Sequence, residues 1–141
     1  SGVRVVKYPT PNKTDESCQW DPDWVVFRLA EVYYMLAECR FRADDLSAAA
    51  ELFNKVRARN FSSSDPDPVT EDNIDKYRIL DEWMTEFIGE GRRRTDLIRW
   101  DVFTTERWWD HQPDGSGHLK VFPIPTTAIS SSNIIKQNPG Y

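Results

Sequence analysis

The densest group of charged residues in the sequence lies between positions 86 and 100, which read EFIGEGRRRTDLIRW. Glu86 and Glu90 are four residues apart, so a helix places both carboxylates on one face. Paired carboxylates are one ingredient of glycoside hydrolase chemistry. Neighbouring arginines keep a carboxylate ionised, however, whereas a general acid needs a raised pKa. We therefore expect a structural ion-pair network that holds a turn between helices, formed by Glu86, Glu90, Arg93, Asp96 and Arg99.

Other candidate sites for chemistry in the sequence are incomplete. His111 and His118 are seven residues apart without an HExxH pattern, which makes a poor metal site. The acidic loop at 65–72 lacks the glycine and the regular spacing of an EF-hand, so we expect it to be solvated. Cys18 and Cys39 make neither a zinc site nor a disulfide framework by themselves, and free thiols are expected. The sequence predicts no cofactor, no metal and no catalytic site. A glycoside hydrolase fragment that uses Glu86 and Glu90 stays an alternative.

Aromatic residues make up 13% of the chain, with six tryptophans among them. A ring that is exposed on a loop can stack on the apolar C–H face of a sugar. The tryptophans outside the predicted helical stripes are therefore the candidate ligand-binding residues: Trp20, Trp108 and Trp109.

Length and charge restrict the class of protein. A chain of 141 residues predicts one domain, and no run of 18 apolar residues is present to cross a membrane. The net charge of −5 argues against nucleic acid as a partner. The chain starts with Ser1-Gly2 and no basic leader, which is typical of a protease-trimmed N-terminus. Residues 1–20 are predicted to be an extended arm, and residues 21–141 a helical domain.

A pair of antiparallel helices is predicted from the hydrophobic periodicity. Asp21-Pro22-Asp23 offers an N-cap for a first helix that ends near Arg42, and the second covers 48–59. The first helix is expected to bury one stripe, composed of Val25, Leu29, Val32, Tyr33, Leu36 and Cys39. The spacing of small and interlocking residues is similar to that of one tetratricopeptide unit, carried by Ala30, Ala37, Ala49, Tyr33, Leu46 and Phe53.

Further helices follow a polar loop at 61–73, which is not expected to bury itself. The third covers 74–88, and the fourth covers 92–103 after the Gly89-Glu90-Gly91 reversal. A tetratricopeptide-like unit needs stacked neighbours, and these two helices are the candidates. Beyond Trp109 the sequence predicts turn-rich coil with a short extended segment at 120–122. The fold class is therefore mainly α, built from helical hairpins with irregular N- and C-terminal segments.

An ordered series of short motifs resembles the C-terminal end of the SusD/RagB family. Trp83, Arg94 and Asp101 depart from that family's usual residues at their positions. The series covers positions 24–141 and consists of Ala30-Glu31-Val32-Tyr33, Ala37-Glu38, Asn54, Val56-Arg57, Glu82, Glu86-Phe87, Gly89-Glu90-Gly91, Arg93, Asp96-Leu97-Ile98-Arg99-Trp100, Phe122-Pro123-Ile124-Pro125 and Gln137-Asn138-Pro139-Gly140-Tyr141.

The resemblance implies a function that the composition does not. It implies a SusD-like α/α superhelix and a cell-surface lipoprotein of the outer membrane that binds glycans or other nutrients. Such a protein is not an enzyme and passes its ligand to a SusC-like, TonB-dependent transporter. The lipid-anchoring cysteine would then lie upstream, so neither Cys18 nor Cys39 inherits that role. The rival interpretation is a tetratricopeptide-like scaffold that binds proteins and has no affinity for sugars.

Overall fold

A computed structural model describes Lys7 and residues 25–61, 64–107 and 111–141. The chain divides after Gly91 into two compact units. Helices are the regular structure of the described residues, with no extended strand among them. The predicted fold class, mainly α with helical hairpins, is confirmed.

Three helices form the first unit: α1 at Leu29–Arg42, α2 at Leu46–Phe61 and α3 at Lys76–Glu86. The side chain of Asp45 accepts a hydrogen bond from the Ala48 amide near the start of α2. Asp75 caps α3 by accepting from the Arg78 amide at 2.7 Å. Aspartate at these positions satisfies amides that have no partner inside the helix. α1 and α2 pack as the predicted antiparallel hairpin, with the start of α1 beside the end of α2.

Four aromatic rings form the centre of this unit. Tyr34 of α1 contacts Phe53 of α2 with ring centroids 4.6 Å apart, and it meets Trp83 of α3 edge-on at 5.3 Å. Phe87 completes the cluster at 5.1 Å from Trp83. Such tilted and edge-on pairs stabilise a core beyond the burial of their area. The predicted small residues of the two helices are also buried: Ala30, Ala37 and Ala49.

The prediction for the first helix is wrong in its start and in its buried face. Residues 25–28 are not helical, and α1 begins only at Leu29. The predicted stripe points outward, since Leu29 is 68% exposed, Val32 52% and Leu36 45%. α1 instead buries Ala30, Tyr34 and Ala37. The small alanines let α2 approach closely, and Tyr34 fills the space between the helices.

The segment after α2 is more buried than its polar composition predicts. Val69 and Ile74 are almost fully buried. The Asn54 side chain accepts from the Val69 amide at 2.9 Å and donates to the Val69 carbonyl at 2.7 Å. This two-bond contact, here called the Asn54 clasp, satisfies both backbone groups of a buried residue. The expectation that the loop at 61–73 is not buried is therefore wrong for Val69, whereas most of its other described residues are exposed.

The second unit carries shorter helices. α4 covers Arg93–Arg99, and a single 3₁₀ turn covers His118–Lys120. α4 ends earlier than predicted because Asp101 adopts a left-handed conformation, with φ of 57°. A five-residue helix, α5 at Thr126–Ser130, was not predicted. Its sequence is too short to show a helical period.

Two of the terminal motifs bind each other in this unit. The Gln137 side chain accepts from the Ile124 amide at 2.8 Å and donates to the Ile124 carbonyl at 2.9 Å. Asn138 donates to the Phe122 carbonyl, and the Tyr141 hydroxyl donates to the Val121 carbonyl. The terminal QNPGY sequence is thus a clamp on the segment around Phe122-Pro123-Ile124-Pro125.

Candidate functional site

Glu86 is the last residue of α3 and Glu90 lies in the turn that follows, so the prediction that one helix face carries both carboxylates is wrong. Both carboxylates meet Arg28, the residue before α1. Nη1 of Arg28 donates to Oε1 of Glu86 at 2.6 Å, and its Nε donates to Oε2 of Glu90 at 2.9 Å. The guanidinium also lies over the Phe87 ring, 4.3 Å from the centroid. One residue therefore satisfies both carboxylates and contacts the aromatic core.

Two further cations complete this group. Nη2 of Arg59, from the last turns of α2, donates to both oxygens of Glu86 at 2.6 Å. Nζ of Lys7 lies 3.1 Å from Glu90 and also donates to the Glu86 carbonyl. The Glu86 and Glu90 side chains are only 8% and 10% exposed. Buried carboxylates in this setting are held by charge-assisted hydrogen bonds.

The electrostatics of the pair oppose general acid catalysis. Burial alone would raise the pKa of Glu86, but the hydrogen bonds from Arg59 and Arg28 outweigh it and hold the pKa below its ordinary value. The pKa of Glu90 is lowered in the same way. Burial alone would raise it, but the hydrogen bonds from Arg28 and Lys7 outweigh that effect. A glycosidase acid needs the opposite shift, so that it carries a proton at neutral pH.

A second group of ion pairs surrounds Glu82, one turn before Glu86. Oε1 of Glu82 accepts from Arg57 of α2 at 2.7 Å and from Arg78 of α3 at 2.9 Å. Arg57 also donates two hydrogen bonds to Asp65, which lowers the pKa of that carboxyl. Arg78 pairs with Asp67 at 2.6 Å. The expectation that the acidic loop is solvated is therefore wrong for Asp65, whose side chain is 15% exposed. Asp67 is 64% exposed, as expected, although it pairs with Arg78.

The remaining members of the predicted network lie in the second unit. Asp96 is 1% exposed and accepts from Arg92 at 3.1 Å and from Arg99 at 3.2 Å. Arg93 is the first residue of α4. The ion pairs at Asp96 are therefore local: they join residues of α4 to each other and to Arg92, the residue before it.

A small cleft lies between the start of α1 and the end of α2, with a volume of about 180 Å³. Nζ of Lys55 lies 5.1 Å from the centroid of the Tyr33 ring at this cleft. Its other lining residues are Leu29, Ala30, Val56 and Arg59.

Comparison with known proteins assigns the chain to a family. The sequence model of the SusD family matches residues 1–120. The chain belongs to the SusD family. It is 36% identical over 128 residues to the Starch-binding protein SusD of Bacteroides thetaiotaomicron, a match covering 86% of this chain and 22% of that protein. It is 31% identical over 129 residues to the SusD-like protein P25 of Formosa agariphila, covering 83% of this chain and 24% of the relative. The chain thus spans about a quarter of each SusD-family relative.

The sugar-binding candidates of this SusD-family chain, Trp20, Trp108 and Trp109, lie outside the described residues. The arm predicted at 1–20 also lies outside them, apart from Lys7. The histidines lie in the second unit: His111 meets the Phe103 carbonyl at 3.1 Å, and His118 lies 3.6 Å from Asp114. Among the residues that the structure describes, no cluster of metal-ligating side chains occurs, and no helix is long and apolar enough to span a membrane.

Sequence reasoning identified Glu86 and Glu90 but missed their partners Arg28, Arg59 and Lys7. It also missed the pair of Arg57 and Glu82. The three arginines are 25 to 62 residues away from Glu82, Glu86 and Glu90. The Val56-Arg57 motif of the SusD family contained a signal for one of them. Arg28 carried none, because it lay within the predicted first helix and outside the stripe that was expected to be buried.

Proposed function

We propose that this chain belongs to a non-catalytic glycan-binding or nutrient-binding protein of an outer-membrane uptake complex. The protein captures oligosaccharides at the cell surface for a SusC-like, TonB-dependent transporter. A lipid anchor outside this sequence attaches it to the membrane. The observation that carries the proposal is the similarity to a relative named for starch binding, which covers 86% of this chain.

The arrangement of the carboxylates supports a binding protein over a hydrolase. Each of Glu86 and Glu90 is hydrogen-bonded to Arg28 and to a second cation, and both pKa values are lowered. A retaining glycosidase needs one carboxylate to act as an acid at the pH of the reaction. A Glu90→Gln variant tests this directly by release of reducing ends from soluble starch. Hydrolysis by the wild-type chain that disappears in the variant would restore the glycoside hydrolase alternative.

The sugar contacts in this proposal come from Trp20, Trp108 and Trp109. An indole offers a flat apolar face to the C–H face of a pyranose, and polar neighbours bind the hydroxyls. Loss of one stacking ring is expected to weaken binding by about fivefold, since a ring contact contributes on the order of 1 kcal/mol.

The experiment titrates the 141-residue chain with maltooligosaccharides and a panel of other soluble glycans, followed by calorimetry and tryptophan fluorescence. Trp20→Ala and the double variant Trp108→Ala/Trp109→Ala are compared with Tyr77→Ala. Tyr77 is a matched control because it is an aromatic residue that is 49% exposed on α3. The proposal expects weaker binding in the tryptophan variants alone. The absence of heat and fluorescence change with every glycan, also in a full-length SusD-family protein carrying this sequence, would contradict it.

A tetratricopeptide-like scaffold that binds proteins is the second candidate. One observation favours it: α1 and α2 form a helical hairpin, and α1 exposes apolar side chains on the side away from the core. Capture of a purified SusC-like transporter by a chain that binds none of the glycans would support the scaffold. Capture together with glycan binding fits the uptake component.

A further inference from the structure

The cleft between α1 and α2 combines apolar and cationic side chains. Ala30 and Val56 line it and are almost fully buried, so they form its floor. Lys55 and Arg59 also line it and are exposed at its edge. Among the lining residues in the described part of the chain, none is acidic. Binding sites for small ligands are mainly apolar and use a few polar groups to fix the orientation of the ligand, and here those groups are cations.

Lys55 carries a charge that no carboxylate of the described residues neutralises. Its Nζ lies 5.1 Å from the centroid of the Tyr33 ring, which attracts the ammonium group through a cation–π contact. This contact uses none of the three N–H donors of the lysine. Tyr33 therefore keeps Lys55 at the cleft, and the donors remain available to a ligand.

Arg59 is held by Glu86 at the edge of the same cleft. Its Nη2 donates to both oxygens of Glu86 at 2.6 Å, yet the arginine side chain is 54% exposed. Within the residues that the structure describes, Nε and Nη1 of Arg59 have no hydrogen-bond partner. Glu86 thus fixes the guanidinium and leaves two of its nitrogens available to a ligand.

The two cations lie on one face of α2, because they are four residues apart. Like charges at this spacing repel each other, and an anion bound between them removes the repulsion. Arg59 is not fully neutralised by its own partner, since Glu86 also binds Arg28. The chain has a net charge of −5, so the positive charge at this cleft is a local feature.

The size of the cleft limits what can occupy it. Its volume is about 180 Å³, whereas pockets for whole drug-sized ligands have volumes of about 300–1,000 Å³. A single ring of a longer ligand suits this space, with the remainder of the ligand in solvent. A pyranose offers an apolar C–H face to the floor, and a carboxylate or sulfate on its edge can reach the cations.

We propose that this cleft binds one negatively charged sugar residue of a larger glycan. The C–H face of the sugar lies on Ala30 and Val56, and its carboxylate or sulfate accepts hydrogen bonds from Lys55 and Arg59. This inference rests on the proposed function, because it names a class of glycan that the protein binds. The site uses none of the candidate tryptophans, so it adds a second contact with the glycan.

Titration of the 141-residue chain with trigalacturonate tests the proposal. Nuclear magnetic resonance of the isotope-labelled chain follows binding, since it locates weak binding at individual amides. We expect shifts at the amides of Ala30 and Val56. The fully methyl-esterified trisaccharide has the same rings without the charges and should bind at least about tenfold more weakly, as expected for the loss of a charge-assisted hydrogen bond. Equal binding of the two trisaccharides would overturn the proposal.

Two smaller probes identify the anion. Galactose 6-sulfate that binds at the cleft more tightly than trigalacturonate would identify the charged group as a sulfate, and the reverse order would identify it as a carboxylate. Inorganic sulfate provides the anion without a sugar ring. If it binds the cleft as tightly as either sugar, the ring contributes nothing and the proposal is wrong.

Substitution of the cleft lysine gives an independent measurement. Lys55→Gln is expected to weaken the binding of trigalacturonate by about tenfold, because it removes one charge-assisted contact. Lys76→Gln is the matched control: Nζ of Lys76 lies 4.7 Å from the centroid of the Tyr77 ring, and neither residue lines the cleft. This control should bind as tightly as the wild-type chain. Equal affinities of the two variants would overturn the proposal.

A negative charge placed in the cleft should prevent binding. Leu29→Glu puts a carboxylate beside the cations, whereas Leu36→Glu puts one on the same helix away from the cleft. The two leucines are 68% and 45% exposed, so we expect both variants to fold, and melting curves check this. Trigalacturonate should shift the cleft amides in Leu36→Glu alone. Unchanged shifts in Leu29→Glu would show that the ligand binds elsewhere.

Two further ligands separate the proposal from its alternatives. A short peptide of leucine and glutamate that binds the cleft more tightly than every charged sugar would make the partner a protein and overturn the proposal. Neutral maltooligosaccharides distinguish it from the proposed function. If these bind and trigalacturonate does not reach the cleft, the inference about the cleft is wrong while the proposed glycan binding stands.

Discussion

Arg28 and Glu90 form a two-bond pair in which the planar guanidinium faces the carboxylate. Nε of Arg28 donates to Oε2 at 2.9 Å, and Nη2 donates to Oε1 at 2.9 Å. The same arginine reaches Glu86 through Nη1 and the Glu86 carbonyl through Nη2. It therefore fastens the residue before α1 to the turn after α3. Arginine suits this position because its donors are fixed in one plane, which lysine cannot reproduce.

Removal of a partner from this group is expected to destabilise the fold. Glu86→Ala leaves Arg28 without its closest carboxylate contact in a largely buried setting, and we expect a loss of about 3 kcal/mol in the free energy of unfolding. Arg40→Ala is the control, because the Arg40 and Asp45 side chains are 52% and 42% exposed; it should cost less than about 1 kcal/mol. Urea denaturation measures both. Equal losses in the two variants would contradict a structural role for the buried group.

The pH dependence of stability follows from the lowered pKa values of Glu86 and Glu90. The ordinary pKa of both groups is 4.5, and in the folded state it is lowered. As the pH falls below about 4.5, the unfolded chain therefore binds more protons than the folded chain. The stabilisation from these groups is fully present above the ordinary value and is lost as pH falls through the folded value. Melting temperatures measured from pH 7 to pH 3 should therefore fall below about pH 4.5.

The double variant Glu86→Gln/Glu90→Gln provides the control for that experiment. It should be less stable than the wild-type chain at neutral pH, and its stability should fall less steeply below pH 4.5. An acid transition of the same slope in both proteins would place its cause at other carboxylates.

The Asn54 clasp makes a specific prediction about the loop after α2. Asn54→Asp replaces the amide donor with a second oxygen. This oxygen then faces the Val69 carbonyl oxygen at hydrogen-bond distance without a proton between them. We expect a loss of about 2 kcal/mol in the free energy of unfolding, because the buried Val69 carbonyl loses its donor. Asn60→Asp is a matched control on an exposed position of α2, and its stability should be unchanged in urea denaturation. Equal stability of the two variants would refute the clasp.

The terminal clamp predicts a difference between two glycines that both have a positive φ. Gly140 and Gly115 have φ of 97° and 68°, so alanine strains both by about 1 kcal/mol. A Cβ at Gly140 would lie 2.6 Å from Cβ of His118, whereas a Cβ at Gly115 meets open space. Gly140→Ala should therefore cost about 1–3 kcal/mol more than Gly115→Ala in thermal unfolding. Equal effects would mean that the QNPGY segment does not pack on His118.

Much of the helical arrangement could be predicted from spacing, but the buried face of α1 could not. Both sides of α1 are apolar, so the period of 3.6 residues did not distinguish the side that meets α2 from the exposed side with Leu29, Val32 and Leu36. The small size of Ala30 and Ala37 was the better signal, because helices approach closest at small residues. The start of α1 was predicted too early because Asp21-Pro22 is typical of a helix N-cap, whereas α1 begins only at Leu29.

The charged site was predictable in its members and not in its pairing. Glu86 and Glu90 stood out by their spacing, whereas the arginines that bind them come from the residue before α1 and from α2. Such pairs are set by the tertiary fold, which brings together residues that are far apart in the chain. The burial of Val69 in the polar loop was missed for the same reason. The side-chain amide of Asn54, 15 residues away, satisfies both backbone groups of Val69, and this allows Val69 to be buried.

The sequence separation of these contacts has a consequence for the order of folding. The Asn54 clasp joins residues 15 apart, whereas the pair of Arg28 and Glu90 joins residues 62 apart. Closing the longer loop costs about 1 kcal/mol more in chain entropy. The clasp is thus expected to form early on the pathway and the arginine pair late. Substitutions at Asn54 then slow folding, whereas those at Arg28 accelerate unfolding and shorten the lifetime of the native state.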